Sequence, residues 1–197
     1  MDHMPQVSLA GTILLPIWFL ICYLTGTLQI GDLITRKAGF DIRNAGTGNP
    51  GASNIYSQLG PAFGVAVFFL DVAKGMFPVI VCNITNQPSF VVALSVFSLL
   101  AGHQLRSPWQ TSGGTGMATA MGAGIGILPL GAAVALVPSA GILLMTRQPT
   151  YTGVAAFFIT MVAGWLIYRD PILCTAVLIL SAAVLIKFKF QYRHLVS

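Results

Sequence analysis

Residues Gly75-Met-Phe-Pro-Val-Ile-Val-Cys82, Asn83-Ile-Thr-Asn-Gln-Pro88 and Ser89-Phe-Val-Val-Ala-Leu-Ser-Val-Phe-Ser-Leu-Leu-Ala-Gly102 contain no Asp, Glu, Lys or Arg, and the next charge is Arg106. A second charge-free run extends from Ser107 to Thr146. Apolar stretches of about 18 residues or more are candidates to span a bilayer. Of the 197 residues, 55% are hydrophobic and only 8% are charged, against roughly 25% charged in soluble domains. Such a chain cannot cover a soluble core with charge. The reading is an all-α polytopic membrane protein, a single domain over residues 1–197.

Ten basic residues stand against five acids, all of them Asp, for a net charge of +5. In a membrane protein such an excess reports topology. The basic residues are dispersed, so no nucleic-acid partner is expected. Cys22, Cys82 and Cys174 fall inside apolar segments at spacings that match no metal signature, and they read as small packing residues. No metal or other cofactor is expected. The start Met1-Asp-His-Met-Pro-Gln6 lacks the basic region of a signal peptide, so the first apolar segment reads as a retained helix.

Working outward from the charge-free runs gives seven transmembrane helices. The first covers about Ser8 to Ile30, ahead of Asp32, Arg36 and Lys37. The second starts near Pro61, because proline suits a first helical turn, and ends before Asn83. A third covers about Ser89 to His103. Met117 to Leu128 and Leu130 to Met145 read as two helices broken near Pro129. The last two run from about Gly153 to Tyr168 and from about Pro171 to Phe188. Three polar loops lie between them, at residues 41–54, 104–116 and 147–150. Gly122-Ala-Gly-Ile-Gly126 carries a small-xxx-small pattern suited to close helix packing.

Seven crossings place the termini on opposite sides. Arg36, Lys37, Arg43, Arg106, Arg147, Lys187, Lys189 and Arg193 all fall on one side, while the other carries only Arg169 beside Asp170. The positive-inside rule then puts the N-terminus outside and the C-terminus in the cytoplasm. All three polar loops face the cytoplasm, where phosphorylated metabolites are found. Lys187, Lys189 and Arg193 are expected at the anionic headgroups, with membrane lipids as neighbours.

Asp41-Ile-Arg-Asn-Ala-Gly-Thr-Gly-Asn-Pro-Gly-Ala-Ser-Asn54 is the most polar stretch. Gly46-Thr-Gly-Asn-Pro-Gly51 formally satisfies G-x-G-x-x-G, but no strand precedes it and no βαβ unit surrounds it. Its physical content remains: Gly46, Gly48 and Gly51 allow close backbone approach, and Thr47, Asn49, Ser53 and Asn54 add hydroxyl and amide groups. Such a loop can turn several N–H groups toward one phosphate, or it can simply connect two helices. Asp71 and Lys74, three residues apart, suit a buried ion pair, with phosphate neutralisation by Lys74 as the functional alternative. His103 ends a helix and opens onto Gly113-Gly114-Thr115-Gly116. It can serve as a polar cap, donate to a phosphate or transfer a proton. Arg43 and Arg147 can hold phosphates bidentately or set topology.

In order, Asp41-Ile-Arg43, Gly46-Thr-Gly-Asn-Pro-Gly-Ala-Ser-Asn54, Asp71-Val-Ala-Lys-Gly75, Gly102-His103 and Gly113-Gly-Thr-Gly-Met-Ala-Thr119 resemble the PlsY family of bacterial acylphosphate–glycerol-3-phosphate acyltransferases. The resemblance implies a seven-helix protein of the bacterial cytoplasmic membrane with three cytoplasmic motifs. It implies transfer of a fatty acyl group from acyl phosphate to the 1-hydroxyl of glycerol 3-phosphate, giving lysophosphatidic acid for phospholipid synthesis. His103 and Ser53 would then orient the acceptor hydroxyl near the acyl carbonyl. Arg43, Lys74, Arg147 and the two glycine-rich loops would hold the phosphates.

The chain departs from the family pattern at its cations. The arginine usual after the first loop falls on Ser57, the two lysines of K-G-G-K-G fall on Ser112 and Thr115, and the proline after the histidine is Arg106. Arg147 matches the third-loop arginine, but the serine after it is Thr150 or Tyr151. At about 1.5–3 kcal/mol per charged contact, three lost cations amount to several kcal/mol of substrate and transition-state stabilisation. The expectation is weak or absent family activity. The alternative to an active acyltransferase is a degenerate scaffold, an accessory subunit of a larger inner-membrane complex that binds lipid, quinone or pigment.

Overall fold

The computed structural model describes residues 9–105 and 113–191, and among these all regular structure is helical. In chain order the helices are α1 (Leu9–Thr27), α2 (Ile30–Lys37), α3 (Ala52–Leu59), α4 (Pro61–Ile84), α5 (Ser89–Gln104), α6 (Met117–Ile127), α7 (Pro129–Thr146), α8 (Pro149–Tyr168) and α9 (Pro171–Gln191), with a single 3-10 turn at Ile42–Asn44. Arg106, Ser112, Arg193, His194 and the segment Met1–Gln6 lie outside the described residues.

Each of the seven expected apolar helices is present, as α1, α4, α5, α6, α7, α8 and α9. Of these, α4, α7, α8 and α9 are long and apolar enough to cross a bilayer, and α1 with α2 passes as one span bent by 41°. By contrast α5 and α6 hold only 16 and 11 residues. Two expectations change. The first helix stops at Thr27 instead of Ile30, because the chain breaks at Leu28–Gln29 and restarts as α2. The stretch read as loop up to Pro61 contains α3, a short helix that buries Asn54 and Ile55 and exposes Ser53, Tyr56, Ser57 and Gln58. Proline stands at the start of α4, α7 and α8, where its missing N–H has no helical partner to lose.

Polarity runs inward. Phe69, Leu136, Val137, Leu144 and Met145 are each more than 60% exposed, whereas Asp71, Lys74, His103, Thr115 and Thr119 are buried. Lipid rewards that inversion, since polar groups there must find partners within the protein. Two apolar clusters hold the bundle. The larger includes Val79, Val96, Leu100, Ala123, Phe157 and Leu180, and a smaller one, Ile42, Ile55 and Val67, lies beneath the first glycine-rich loop.

Glycines set the helix spacing near the polar residues. A methyl group on Gly75 would lie 1.9 Å from Thr119 O, and one on Gly122 would lie 2.0 Å from Val72 O, so α4 and α6 touch backbone to backbone. Gly26 against Leu99 O and Gly102 against Tyr23 O bring α1 and α5 equally close, each at 2.0 Å by the same measure. These contacts realise the small-residue packing expected at Gly122–Gly126 and draw α1, α4, α5 and α6 together. At the other end of α5, Ser89 Oγ donates to Asp170 Oδ2 at 2.6 Å, while Asp170 Oδ1 accepts from the amides of Ile172 and Leu173, the first turn of α9.

Candidate functional site, where two glycine-rich loops meet a buried histidine

The first loop is braced by its own residues. Gly46 and Gly48 have φ of 56° and 68°, a left-handed backbone that a side chain at Gly46 could not adopt without meeting Asn54 Oδ1. Asn54 Oδ1 accepts from Thr47 N at 3.1 Å, and Asn54 Nδ2 donates to Ala45 O and Asn49 O, both at 3.0 Å. One buried amide thus pins three points of the loop. The Asn49 amide approaches Thr47 Oγ1 at 3.4 Å, a local turn of the kind threonine favours. Asp41 Oδ1 accepts from Arg43 N at 3.0 Å, and Arg43 Nε donates to Asp32 Oδ2 at 2.9 Å, joined by a second contact from its Nη2. Arg43 is therefore ion-paired to α2.

The second loop is held from outside. Gln104 Nε2 donates to Thr115 O at 2.8 Å, and Asn49 Nδ2 of the first loop reaches Thr115 Oγ1 at 3.4 Å. Gly116, left-handed at φ 79°, turns the chain into α6. Gly114 lies where both loops converge: a methyl group there would stand 2.7 Å from His103 Nε2, 3.2 Å from Gln29 Oε1 and 3.4 Å from Asn49 Oδ1. Gln29 occupies the break between α1 and α2 and donates through Nε2 to His103 O at 2.8 Å.

Beneath these loops lies a charged hub. His103 is 3% exposed and Lys74 is 7% exposed. Lys74 Nζ lies 3.0 Å from Asp71 Oδ1, 2.8 Å from Leu28 O and 2.9 Å from His103 Nδ1. Thr119 Oγ1 is 3.3 Å from the same imidazole nitrogen. The i,i+3 pair read from the sequence is present and buried. An ammonium has three protons and no acceptor; two of the Lys74 contacts, to Leu28 O and His103 Nδ1, are hydrogen bonds, and the one to Asp71 is an ion pair. Buried and held by these three partners, Lys74 acts on the site through its charge and through His103.

The other candidates are placed differently. Ser53 is exposed on α3, and its carbonyl accepts from Ser57 Oγ at 3.0 Å, whereas His103 is buried. Arg147 is exposed at the left-handed C-cap of α7. It belongs to the same end of the bundle, because Gly153 in α8 packs on the Met117 side chain at the start of α6. Lys187 is half-buried in α9. Gln29, Asp32, Gln104 and Thr119 carry much of the geometry and were not singled out by sequence. The signal at Gln29 is its place in an apolar run, since a polar residue at membrane depth is costly unless it has work there.

A sequence model of the glycerol-3-phosphate acyltransferase family matches residues 16–197. The chain is 33% identical over 175 residues to the glycerol-3-phosphate acyltransferase of Geotalea daltonii, covering 89% of this chain and 90% of that one. Over 180 residues it is 31% identical to the glycerol-3-phosphate acyltransferase of Aquifex aeolicus, covering 89% and 88%. Among solved structures, the glycerol 3-phosphate form of PlsY, an integral membrane glycerol 3-phosphate acyltransferase, aligns with a TM-score of 0.83 at 26% identity, covering 92% of each chain. The lysophosphatidic acid form of PlsY shares the fold at a TM-score of 0.81 and 24% identity, covering 92% of this chain and 91% of that one. With the family pattern extending through both loops and the hub beneath them, this multi-pass membrane protein belongs to the PlsY family of glycerol-3-phosphate acyltransferases.

Proposed function

We propose that this chain transfers an acyl group from acyl phosphate to the 1-hydroxyl of glycerol 3-phosphate, releasing phosphate and lysophosphatidic acid in the bacterial cytoplasmic membrane. The observation that carries the reading is the convergence of both glycine-rich loops on His103 Nε2 at Gly114. In the reaction the hydroxyl oxygen bonds to the acyl carbon, the carbon–phosphate oxygen bond breaks, and the hydroxyl proton leaves with the phosphate. No Ser-His-Asp triad is required, because the leaving group itself takes the proton. The protein's task is to bring two anions together and stabilise the oxygen charge that develops between them.

In this reading Gly46, Gly51, Gly113, Gly114 and Gly116 turn backbone N–H groups toward phosphate, while Thr47, Gly48 and Asn49, whose N–H groups are bonded inside the first loop, hold its shape around that phosphate. Asn54 serves by keeping the first loop in shape. Arg43 and Lys74 contribute positive charge while paired to Asp32 and Asp71. Arg147 and Ser53, both exposed, meet the headgroup side of the substrates. The loops face the cytoplasm, with the N-terminus outside, on the strength of the basic residues that share their side.

A second reading, a fold kept as a scaffold subunit after catalysis was lost, draws on one observation: Thr115 stands at a family lysine position and its hydroxyl is engaged by Asn49. One assay separates the two. Protein in bilayers is given acyl phosphate and labelled glycerol 3-phosphate, beside a heat-killed control and a Ser57→Arg, Ser112→Lys, Thr115→Lys variant. Product from the natural chain, abolished by His103→Ala, supports the acyltransferase. Product from the triple variant alone supports the scaffold. No product from either, beside an active family member, overturns the proposal.

A further inference from the structure

The Lys74 ammonium touches two segments outside its own helix, the α1–α2 break through Leu28 O at 2.8 Å and α5 through His103 Nδ1 at 2.9 Å, and within α4 it pairs with Asp71 at 3.0 Å. An ammonium can only donate, so His103 Nδ1 must accept. Thr119 Oγ1, at 3.3 Å from the same nitrogen, is a second donor within reach. A ring that accepts at Nδ1 carries its proton at Nε2. That nitrogen is the one facing Gly114, Gln29 Oε1 and Asn49 Oδ1 where the loops meet.

We propose that Asp71 and Lys74 are positioning residues that hold His103 as the Nε2–H tautomer, so the imidazole presents a fixed hydrogen-bond donor to an oxygen bound between the glycine-rich loops. His103 then acts as a neutral donor to substrate oxygen. It is not a base, because Nε2 already bears a proton and Nδ1 is occupied. A second positive charge on the ring would stand 2.9 Å from the Lys74 ammonium, which a buried site disfavours. Asp71 keeps Lys74 charged and in place, and the Leu28 carbonyl ties the same ammonium to the elbow that carries Gln29. The identity of the bound oxygen as phosphate or acyl carbonyl rests on the acyltransferase reading; the tautomer does not.

The test is nitrogen-15 NMR of histidine-labelled protein in bilayers at neutral pH. A His3→Gln, His194→Gln background leaves His103 as the sole labelled ring. The expected spectrum shows an unprotonated, hydrogen-bonded Nδ1 and a protonated Nε2. In Lys74→Met the Nδ1 resonance moves and the tautomers mix, and kcat falls about 100-fold, the scale of losing one oriented donor. Thr119→Val, a milder change, shifts Nδ1 alone and leaves the proton on Nε2. A wild-type ring protonated at Nδ1, an imidazolium, or a Lys74→Met spectrum identical to wild type overturns the proposal. The wild-type spectrum decides even if Lys74→Met does not fold. A wild-type Nε2–H ring in a protein without acyl transfer overturns the acyltransferase reading and leaves the positioning role standing.

Discussion

The two glycine-rich loops carry similar residues but are held in opposite ways. The loop at 41–54 is stapled internally, with Asn54 bonding three of its own backbone groups and Asp41 engaging Arg43 N and Asn44 Nδ2. The stretch Gly113–Gly116 borrows its shape from Gln104, Asn49 and the wall formed by His103. The first loop should therefore keep its form when neighbours change, whereas the second should register any disturbance of the hub. Similar composition does not mean similar mechanical independence.

The hardest blow to that contrast falls on the hub. Lys74→Met leaves the Asp71 carboxylate buried without its partner, and unfolding in detergent should show a loss of about 3–5 kcal/mol. Adding Asp71→Asn to the same protein should recover part of that loss, which a purely steric defect would not do. Gly114→Ala is the sharper probe of convergence. Its methyl meets His103 Nε2 at 2.7 Å, so acyl transfer should drop about 100-fold at a stability cost of about 1–3 kcal/mol. Asn54→Ala removes the internal staple and exposes buried amides to no partner, for about 1–3 kcal/mol of stability. Protease cutting or hydrogen exchange should localise its effect to residues 41–54. Thr115→Val deletes one long hydrogen bond at 3.4 Å and should cost about 0.5–1.5 kcal/mol, seen as a small shift in unfolding temperature.

The far end of the bundle provides the control. Burial works to raise the Asp170 pKa, but donation from Ser89 Oγ and the amides of Leu173 and Ile172 outweighs it and holds the carboxyl below its usual value. A depressed folded value means the contribution is complete above the unfolded carboxylate range near ~3.9 and fades as pH falls through the folded value. Asp170→Asn should cost ~1 kcal/mol or less at neutral pH. It should flatten the acid limb of an unfolding-versus-pH curve and leave acyl transfer at wild-type level.

The contrast between the loops also marks where sequence reading succeeds. The seven apolar helices were legible because charge-free runs and Pro129 leave few alternatives, and Asp71–Lys74 was legible because an i,i+3 spacing is a local matter. Helices α2 and α3 were not, since eight-residue helices with mixed polarity have too little periodicity to stand apart from a loop. The partners that build the hub were hidden for a different reason. His103 lies 29 residues from Lys74, and Leu28 lies 46 residues from it. Only the close helix crossings at Gly75 and Gly102 bring them together. Family resemblance located His103 and the glycines, yet it was silent on Gln29, whose contribution depends on the elbow between α1 and α2.

Helix α6, with 11 residues, is about 16 Å long at 1.5 Å per residue, while a bilayer's hydrocarbon layer is about 30 Å thick. Alone it covers about half of that layer, so its polar end at Gly113–Gly116 needs the partners that Gln104 and Asn49 give it. For the proposed acyl transfer, such a short helix leaves polar loop and apolar helix face within one bilayer leaflet of each other, at about 16 Å end to end. The shortness of α6 is thus what would let an aqueous reagent and a lipid share one site in that reading.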